Sequence, residues 1–205
     1  MAPSFFSRHR IQPRSQRLSI DDVRMCGYVV VRNQFMSSLI DVVKLAILAS
    51  FRVPSYRLGV VLPSTTEIVL SCATAILGCE LIFYYVHRLL HRPQWYMLFH
   101  KQHHHFNAPM ALAAQYAHPL EYLMSSVLPF EIPARLLKMH IVTYWIFLSG
   151  ATLVTVVAHS GYDIFAGLSL RHDLHHEMNT VNFGTLGFLD RIHGTGYTPS
   201  SRKQR

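Results

Sequence analysis

Nine histidines crowd into two short stretches. Six of the chain's 14 His lie between His87 and His105, and three more lie between His172 and His176; an even scatter over 205 residues would put fewer than two there. The spacing is ordered into three boxes: His87-Arg-Leu-Leu-His91, His100-Lys-Gln-His103-His104 and His172-Asp-Leu-His175-His176. Residues four apart stack on one helix face, and an i, i+3, i+4 set converges on one face too. Three such faces aim eight imidazoles at a common point. That is too many for one four-coordinate ion and about right for two. Neutral imidazole suits iron, zinc, copper and nickel, and spacing alone does not choose among them. The three cysteines lie away from the boxes, which argues against a thiolate zinc site or an iron–sulfur cluster, and they cannot build a disulfide framework. Loop-borne His tracts that buffer metal are usually irregular. These boxes have helical spacing, and they abut apolar helix ends. His105 follows a complete box and is expected to face elsewhere. His9 and His140 lie outside every motif and are expected to be solvated. His193, in a Gly-flanked turn, reads as structural or near substrate.

The elements that position these boxes are apolar. Hydrophobic residues make up 50% of the chain and charged residues 15%, well under the roughly 25% of an average soluble domain. Disorder is excluded by that composition. Val69–Val86 carries one charge, Glu80, and Ile141–Ala158 carries none. At about 1.5 Å per residue, each 18-residue run reaches roughly 27 Å, near the lower limit for a bilayer core. Two weaker runs accompany them. Ser37–Phe51 holds Asp41 and Lys44, and Leu120–Leu137 holds Glu121, Glu131, Pro129 and Pro133, whose rings bend or end helices. Paired as hairpins, these runs predict an all-α fold: an integral membrane helical bundle of about four membrane helices in two hairpins, capped by a His-rich helical domain. Residues 1–36 read as a basic N-terminal tail and 37–205 as the membrane-bound unit. Each hairpin returns the chain to the side it left, so all the His boxes face one compartment. Arg88, Arg92, Lys101, Arg171, Arg191 and the tail Arg202, Lys203 and Arg205 share that side, which the positive-inside rule makes cytosolic. Met1–Ile20 has Arg8, Arg10, Arg14 and Arg17 with no acid or apolar core; it reads as a juxtamembrane tail rather than a secretory or transit leader.

Glu80 precedes His87 by seven residues, two turns along nearly the same face. An ionisable group inside an apolar span faces the bundle interior, where it is expected to orient a ligand histidine. Asp173 and Asp190 are further candidates to orient imidazoles. Cys72 and Cys79 read as small packing residues. Tyr84, Tyr85, Trp95, Tyr96, Phe99 and Phe106 are placed at the mouth of the site. No Gly-rich dinucleotide fingerprint is present, so electrons are expected from a separate protein, and the net charge of +8 suits an acidic donor. No nucleic-acid partner is expected.

The linking segments carry more. Tyr85–His91 reads YVHRLLH, Gln115–Glu121 reads QYAHPLE, and His159–Asp163 reads HSGYD; Asn182-Phe-Gly-Thr and Leu189-Asp-Arg-Ile-His193-Gly-Thr195 come after the last box. With the boxes, these segments resemble the fatty acid hydroxylase/sterol desaturase superfamily, and within it the C-4 methylsterol monooxygenase branch and its fatty-acid-hydroxylase-domain relatives. The likeness runs from about Leu70 to Thr195. It implies a non-haem di-iron centre held by His87, His91, His100, His103, His104, His172, His175 and His176, with His159 as a further ligand and His118 as an outer or additional one. It implies O2 as co-substrate, and NAD(P)H electrons delivered by a b-type cytochrome or reductase. It implies a multi-pass protein of the endoplasmic reticulum. The reaction it implies is hydroxylation or oxidation of an unactivated lipid C–H, with a sterol C-4 methyl preferred. The alternatives are a fatty-acyl or sphingolipid hydroxylase or desaturase, and a catalytically inactive metal-binding member; outside the family, a His-rich metal-binding or transport protein. The family usually carries a longer N-terminal membrane portion.

Overall fold

The computed structural model of the chain describes residues 8–11, 18–54, 56–106, 110–165 and 167–197. Arg14, Arg17, Arg202, Lys203 and Arg205, which the sequence assigns to the basic side, lie outside the described residues. Among those described there is no β-strand, and helices carry the architecture.

The first long helix, α1 (Ile20–Ser50), starts at a capping box. The Ser19 hydroxyl accepts the Asp22 N–H at 3.0 Å, and the Asp22 carboxylate accepts the Ser19 N–H at 2.9 Å. The helix therefore runs unbroken through the 36/37 position, where the sequence changes from basic to apolar. Its buried side is specific. Cys26 and Val29 pack on Phe106, Ala113 and Tyr116. Asn33 is fully buried and donates to the Ala117 carbonyl at 2.9 Å and the Gln115 carbonyl at 3.3 Å. Nearer the far end, the Lys44 ammonium donates to both Glu131 oxygens, at 2.6 and 2.7 Å, and also pairs with Asp41. Charges that would be costly among apolar helices are thus matched across the α1 interface.

Helix α2 (Thr65–Leu90) and helix α4 (Ile141–Ala158) are, among the described residues, the two helices long and apolar enough to cross a membrane. Only 17% and 22% of their apolar windows are buried. A core helix of a soluble protein would be mostly covered, so these faces are consistent with a membrane protein. The four membrane helices expected from the sequence are not all met. Helix α1 carries Asp41 and Lys44, and the Leu120–Leu137 arm is broken into a helical turn (Pro119–Glu121), a π-helical stretch (Tyr122–Val127) and α3 (Leu128–Leu136). Pro129, at the start of α3, lacks an N–H and presses its ring on the preceding turn, which a widened turn relieves, whereas Pro133 is carried inside α3. Helix α3 packs against α2 so closely that a Cβ on Gly78 would lie 3.0 Å from the Pro133 ring.

The starts of α2 and α4 are tied together. The Arg57 N–H donates to the Met139 carbonyl at 3.1 Å, and the Ile141 N–H donates to the Arg57 carbonyl at 3.0 Å. His140 belongs to this knot. It is buried, its Nδ1 caps α4 by accepting the Val142 N–H, and its Nε2 donates to the Gly59 carbonyl at 2.9 Å. The expectation of a solvated His140 was wrong because helix starts need acceptors. His9 is likewise engaged, its Nδ1 donating to the Asp163 carbonyl at 2.9 Å. With their starts joined, α2 and α4 run in the same direction, and their ends deliver His87, His91 and His159 to one place. Helices α5 (Leu168–Met178) and α6 (Phe188–His193) close over that end.

Candidate metal centre

Two groups of imidazoles form at the shared end of α2 and α4. His87, His91, His100, His104 and His175 make one, and His103, His159, His172 and His176 make the other; within each, one ring nitrogen per residue lies within 4.8 Å of all the others. The nine are the boxed histidines and His159. The groups abut, with the His104 and His176 ring centroids 4.4 Å apart.

The boxes do not act as units. His100 and His104 join the first group while His103 joins the second; His172 and His176 join the second while His175 joins the first. Helix geometry explains this for α5. Residues i and i+4 lie about 40° apart around the axis, but i+3 and i+4 lie about 100° apart, so the middle histidine points elsewhere. An HxxHH box therefore serves two centres, not the single focal point expected from its spacing. The second box reaches the same split without an α-helix. Tyr96–His100 is π-helical, with the Lys101 N–H donating to the Tyr96 carbonyl at 2.8 Å, and His103–His105 is a 3-10 turn. Such wide turns occur often at functional sites.

In the first group, Nε2 atoms meet at 3.0 Å for His91–His175, 2.8 Å for His91–His100 and 3.0 Å for His100–His104. In the second they meet at 2.8 Å for His159–His172, 3.0 Å for His172–His176 and 3.5 Å for His103–His159. The outer nitrogens decide what these contacts mean. Nδ1–H donates to the Phe183 carbonyl from His87 (2.7 Å), to the Val181 carbonyl from His175 (2.7 Å) and to the Thr155 carbonyl from His159 (2.9 Å), and His100 Nδ1 lies 2.5 Å from Glu121 Oε1. A neutral ring that donates from Nδ1 presents a lone pair at Nε2. Lone pairs facing one another at these distances repel unless a cation lies among them. The donor set fits a metal ion in each group, with outer carbonyls and a carboxylate fixing the tautomers.

Burial keeps the rings in the ligating form. It pushes His159 down to about 4 and His175 down to about 3, each against the pull of its carbonyl partner. His91, His100, His103, His104, His172 and His176 are held far below the ordinary histidine range, first by burial and then by neighbouring imidazoles.

The remaining candidates fall in different places. Glu80 touches no histidine; its Oε2 accepts the Thr185 and Leu186 N–H groups at 2.9 and 3.0 Å. Asp173 lines a narrow cavity with Phe106, Met110, Ala113, Ala158 and three histidines of the second group. His118 belongs to neither group. Its Nδ1 accepts the Leu120 N–H at 3.2 Å, and its ring meets Phe99. His105 is exposed, and His193 stacks on Tyr84 and bonds the Tyr85 hydroxyl, as structural residues do. Of the aromatics expected at a mouth, Phe106 lines the cavity, whereas Tyr84 is fully buried behind the site against Phe183 and Leu189. Cys72 and Cys79 pack in the apolar core. Glu121 is the orienting residue that the sequence did not single out; an acid three residues past His118 in an apolar run was its available signal.

Comparison with known proteins places these features. The family model for fatty acid hydroxylase matches residues 72–195. The chain is 36% identical over 199 residues to a Mycosarcoma maydis protein named as a fatty acid hydroxylase, covering 96% of this chain and 51% of that protein. It is 36% identical over 197 residues to the human fatty acid hydroxylase domain-containing protein 2, covering 94% and 58%. It is 34% identical over 214 residues to a putative methylsterol monooxygenase of Dictyostelium discoideum, covering 98% and 76%. The chain thus spans little more than half the length of the first two relatives. No solved structure gives a significant match.

Proposed function

The chain belongs to the fatty acid hydroxylase family, and on that premise we propose that it is a membrane-bound, di-iron, O2-dependent lipid monooxygenase whose preferred substrate is a sterol, oxidised at its C-4 methyl. The observation that carries this reading is the convergence of nine nitrogen donors into two adjacent groups. An all-imidazole set without thiolate suits iron. His87, His91, His100, His104 and His175 would hold one ion, and His103, His159, His172 and His176 the other. Iron bound there would supply the O2 activation needed to attack an unactivated C–H, chemistry that side chains alone do not provide.

The chain's own residues do the rest. The narrow cavity beside the second group is walled by Phe106, Met110, Ala113 and Ala158, a largely apolar lining suited to hydrocarbon. Its Asp173 is the one acid in that wall. Substrate dissolved in the bilayer reaches this end along the exposed faces of α2 and α4. Near the His boxes, Arg88, Arg92 and Lys101 are exposed and offer a basic surface to an acidic b-type cytochrome or reductase that relays NAD(P)H electrons. The His end faces the cytosol, and the endoplasmic reticulum is the proposed membrane.

A fatty-acyl substrate is the second reading, favoured by the relatives named for fatty acid hydroxylation at 36% identity. One experiment separates the readings. Microsomes carrying the chain or His175→Ala are supplied with NADPH and O2, and their lipids are profiled by mass spectrometry. Oxidised 4-methyl sterols that vanish in the variant support the proposal. Hydroxylated acyl chains that vanish move it to the second reading, and identical profiles overturn both.

A further inference from the structure

Two carboxylates that touch no histidine bond the loop that holds two histidines of the first group. The loop between α5 and α6 passes directly behind that group. Its carbonyls at Val181 and Phe183 accept Nδ1–H from His175 and His87. Four successive N–H groups of the same loop are collected on the other side. Phe183 N–H donates to Asp190 Oδ1 at 2.8 Å and Gly184 N–H to Asp190 Oδ2 at 2.9 Å; Thr185 and Leu186 N–H donate to Glu80 Oε2. One peptide unit links the two sides. Its C=O belongs to Phe183 and holds His87, while its N–H belongs to Gly184 and is held by Asp190. Charge on the Asp190 carboxylate polarises that peptide and strengthens the carbonyl as an acceptor. His100 meets its carboxylate, Glu121, directly; His87 meets one through a peptide.

The surroundings are built for this. Asp190 is fully buried and is fixed by the Thr195 hydroxyl at 2.7 Å and by Arg171 at 3.3 Å. Glu80 is buried in α2 and faces the loop directly. Gly184 admits this approach, because a Cβ there would lie 2.4 Å from Glu80 Oε1 and 3.1 Å from Asp190 Oδ2. In the second group, His159 is held instead by α4's own Thr155 carbonyl.

We propose that Asp190 and Glu80 are positioning residues that act through the 181–187 loop to set His87 and His175, and that they govern metal binding in the five-imidazole group alone. The inference rests on the reading that each group holds an ion. Its distinctive consequence is selectivity. Outer partners of ligand histidines typically control metal affinity by roughly 10–100-fold, and here that effect falls on one ion of two.

The test is anaerobic titration of the metal-stripped full chain in detergent with Fe(II), and in parallel with Co(II), whose absorption reports ligand geometry. The chain itself, Asp190→Asn, Glu80→Ala, Glu80→Gln, Gly184→Ala and His172→Ala are compared. The unsubstituted chain is expected to take two ions. Asp190→Asn, Glu80→Ala and Gly184→Ala are expected to bind one ion normally and the other roughly 10–100-fold more weakly. Glu80→Gln, which keeps an acceptor oxygen, is expected to restore the second ion. His172→Ala weakens the opposite ion, and its combination with Asp190→Asn weakens both. Gly184→Ala perturbs the latch without deleting a carboxylate, so a folding defect in Glu80→Ala alone does not decide the matter. Two ions bound with unchanged affinity in Asp190→Asn and Gly184→Ala, or both ions weakened equally, overturn the proposal while leaving the two-ion reading intact. Fewer than two ions in the unsubstituted chain overturns that reading and the inference with it.

Discussion

Glu121 and Glu80 are both acids buried among apolar helices, yet they do different things. Glu121 is 2% exposed and hydrogen-bonds His100 at Nδ1, which leaves Nε2 on the side of the other first-group rings. Glu80 reaches only backbone N–H groups. At residue scale this predicts that Glu121→Ala weakens the ion of the first group by roughly 10–100-fold, because His100 loses the partner that fixes its ring orientation. Fe(II) titration of the stripped chain checks it, with Co(II) spectra expected to shift as one nitrogen donor becomes disordered. Unchanged affinity would mean that packing alone holds His100. The sequence made Glu80 the visible candidate because it shares a helix with His87. Glu121 lies 21 residues from His100, and no periodicity links them.

At the scale of elements, the second His box is the instructive case. Its spacing is that of an α-helix, and on an α-helix it would present one stripe. The chain instead uses a π-helical stretch and then a 3-10 turn, which still brings His100 and His104 together. A π turn holds one residue more than an α turn. Deleting Leu98, an exposed residue within it, should convert the stretch to α-helix and change how the segment from His100 onward is set relative to His91. The expected outcome is loss of one bound ion of two, with helix content by circular dichroism nearly unchanged. Retention of both ions would show that the wide turn is incidental. The split of each HxxHH box between two centres belongs to this scale too. It is a consequence of helical geometry for α5, but which ring serves which ion depends on the segment packed opposite.

For the whole molecule, the knot between Arg57 and Met139–Ile141 is decisive. It joins the starts of α2 and α4, so both carry their histidines to the same end. In a bilayer, the segment before α2 and the segment after α5 must then lie on opposite sides. Cysteines introduced by Leu62→Cys and Thr180→Cys, both at exposed positions, in a chain freed of its native cysteines, should react with an impermeant maleimide from opposite faces of sealed microsomes. Labelling from one face would sink the two-span arrangement. The prolines at 129 and 133 and the charges at Asp41 and Lys44 announced that two of the four apolar runs differ from the other two. The form they took was not readable: α1 grew to 31 residues because a capping box at Ser19 nucleates it upstream of the apolar run.

The amino-acid sequence alone determined that imidazoles would gather at the ends of apolar helices, since both the helical spacing and the adjoining apolar runs are local properties of the chain. Tertiary structure alone decided the partition into five and four, the approach of Glu121 to His100, and the burial of His140. Each of those depends on which distant backbone or side chain stands within hydrogen-bond reach, and that distance is set by packing between segments that share no common period.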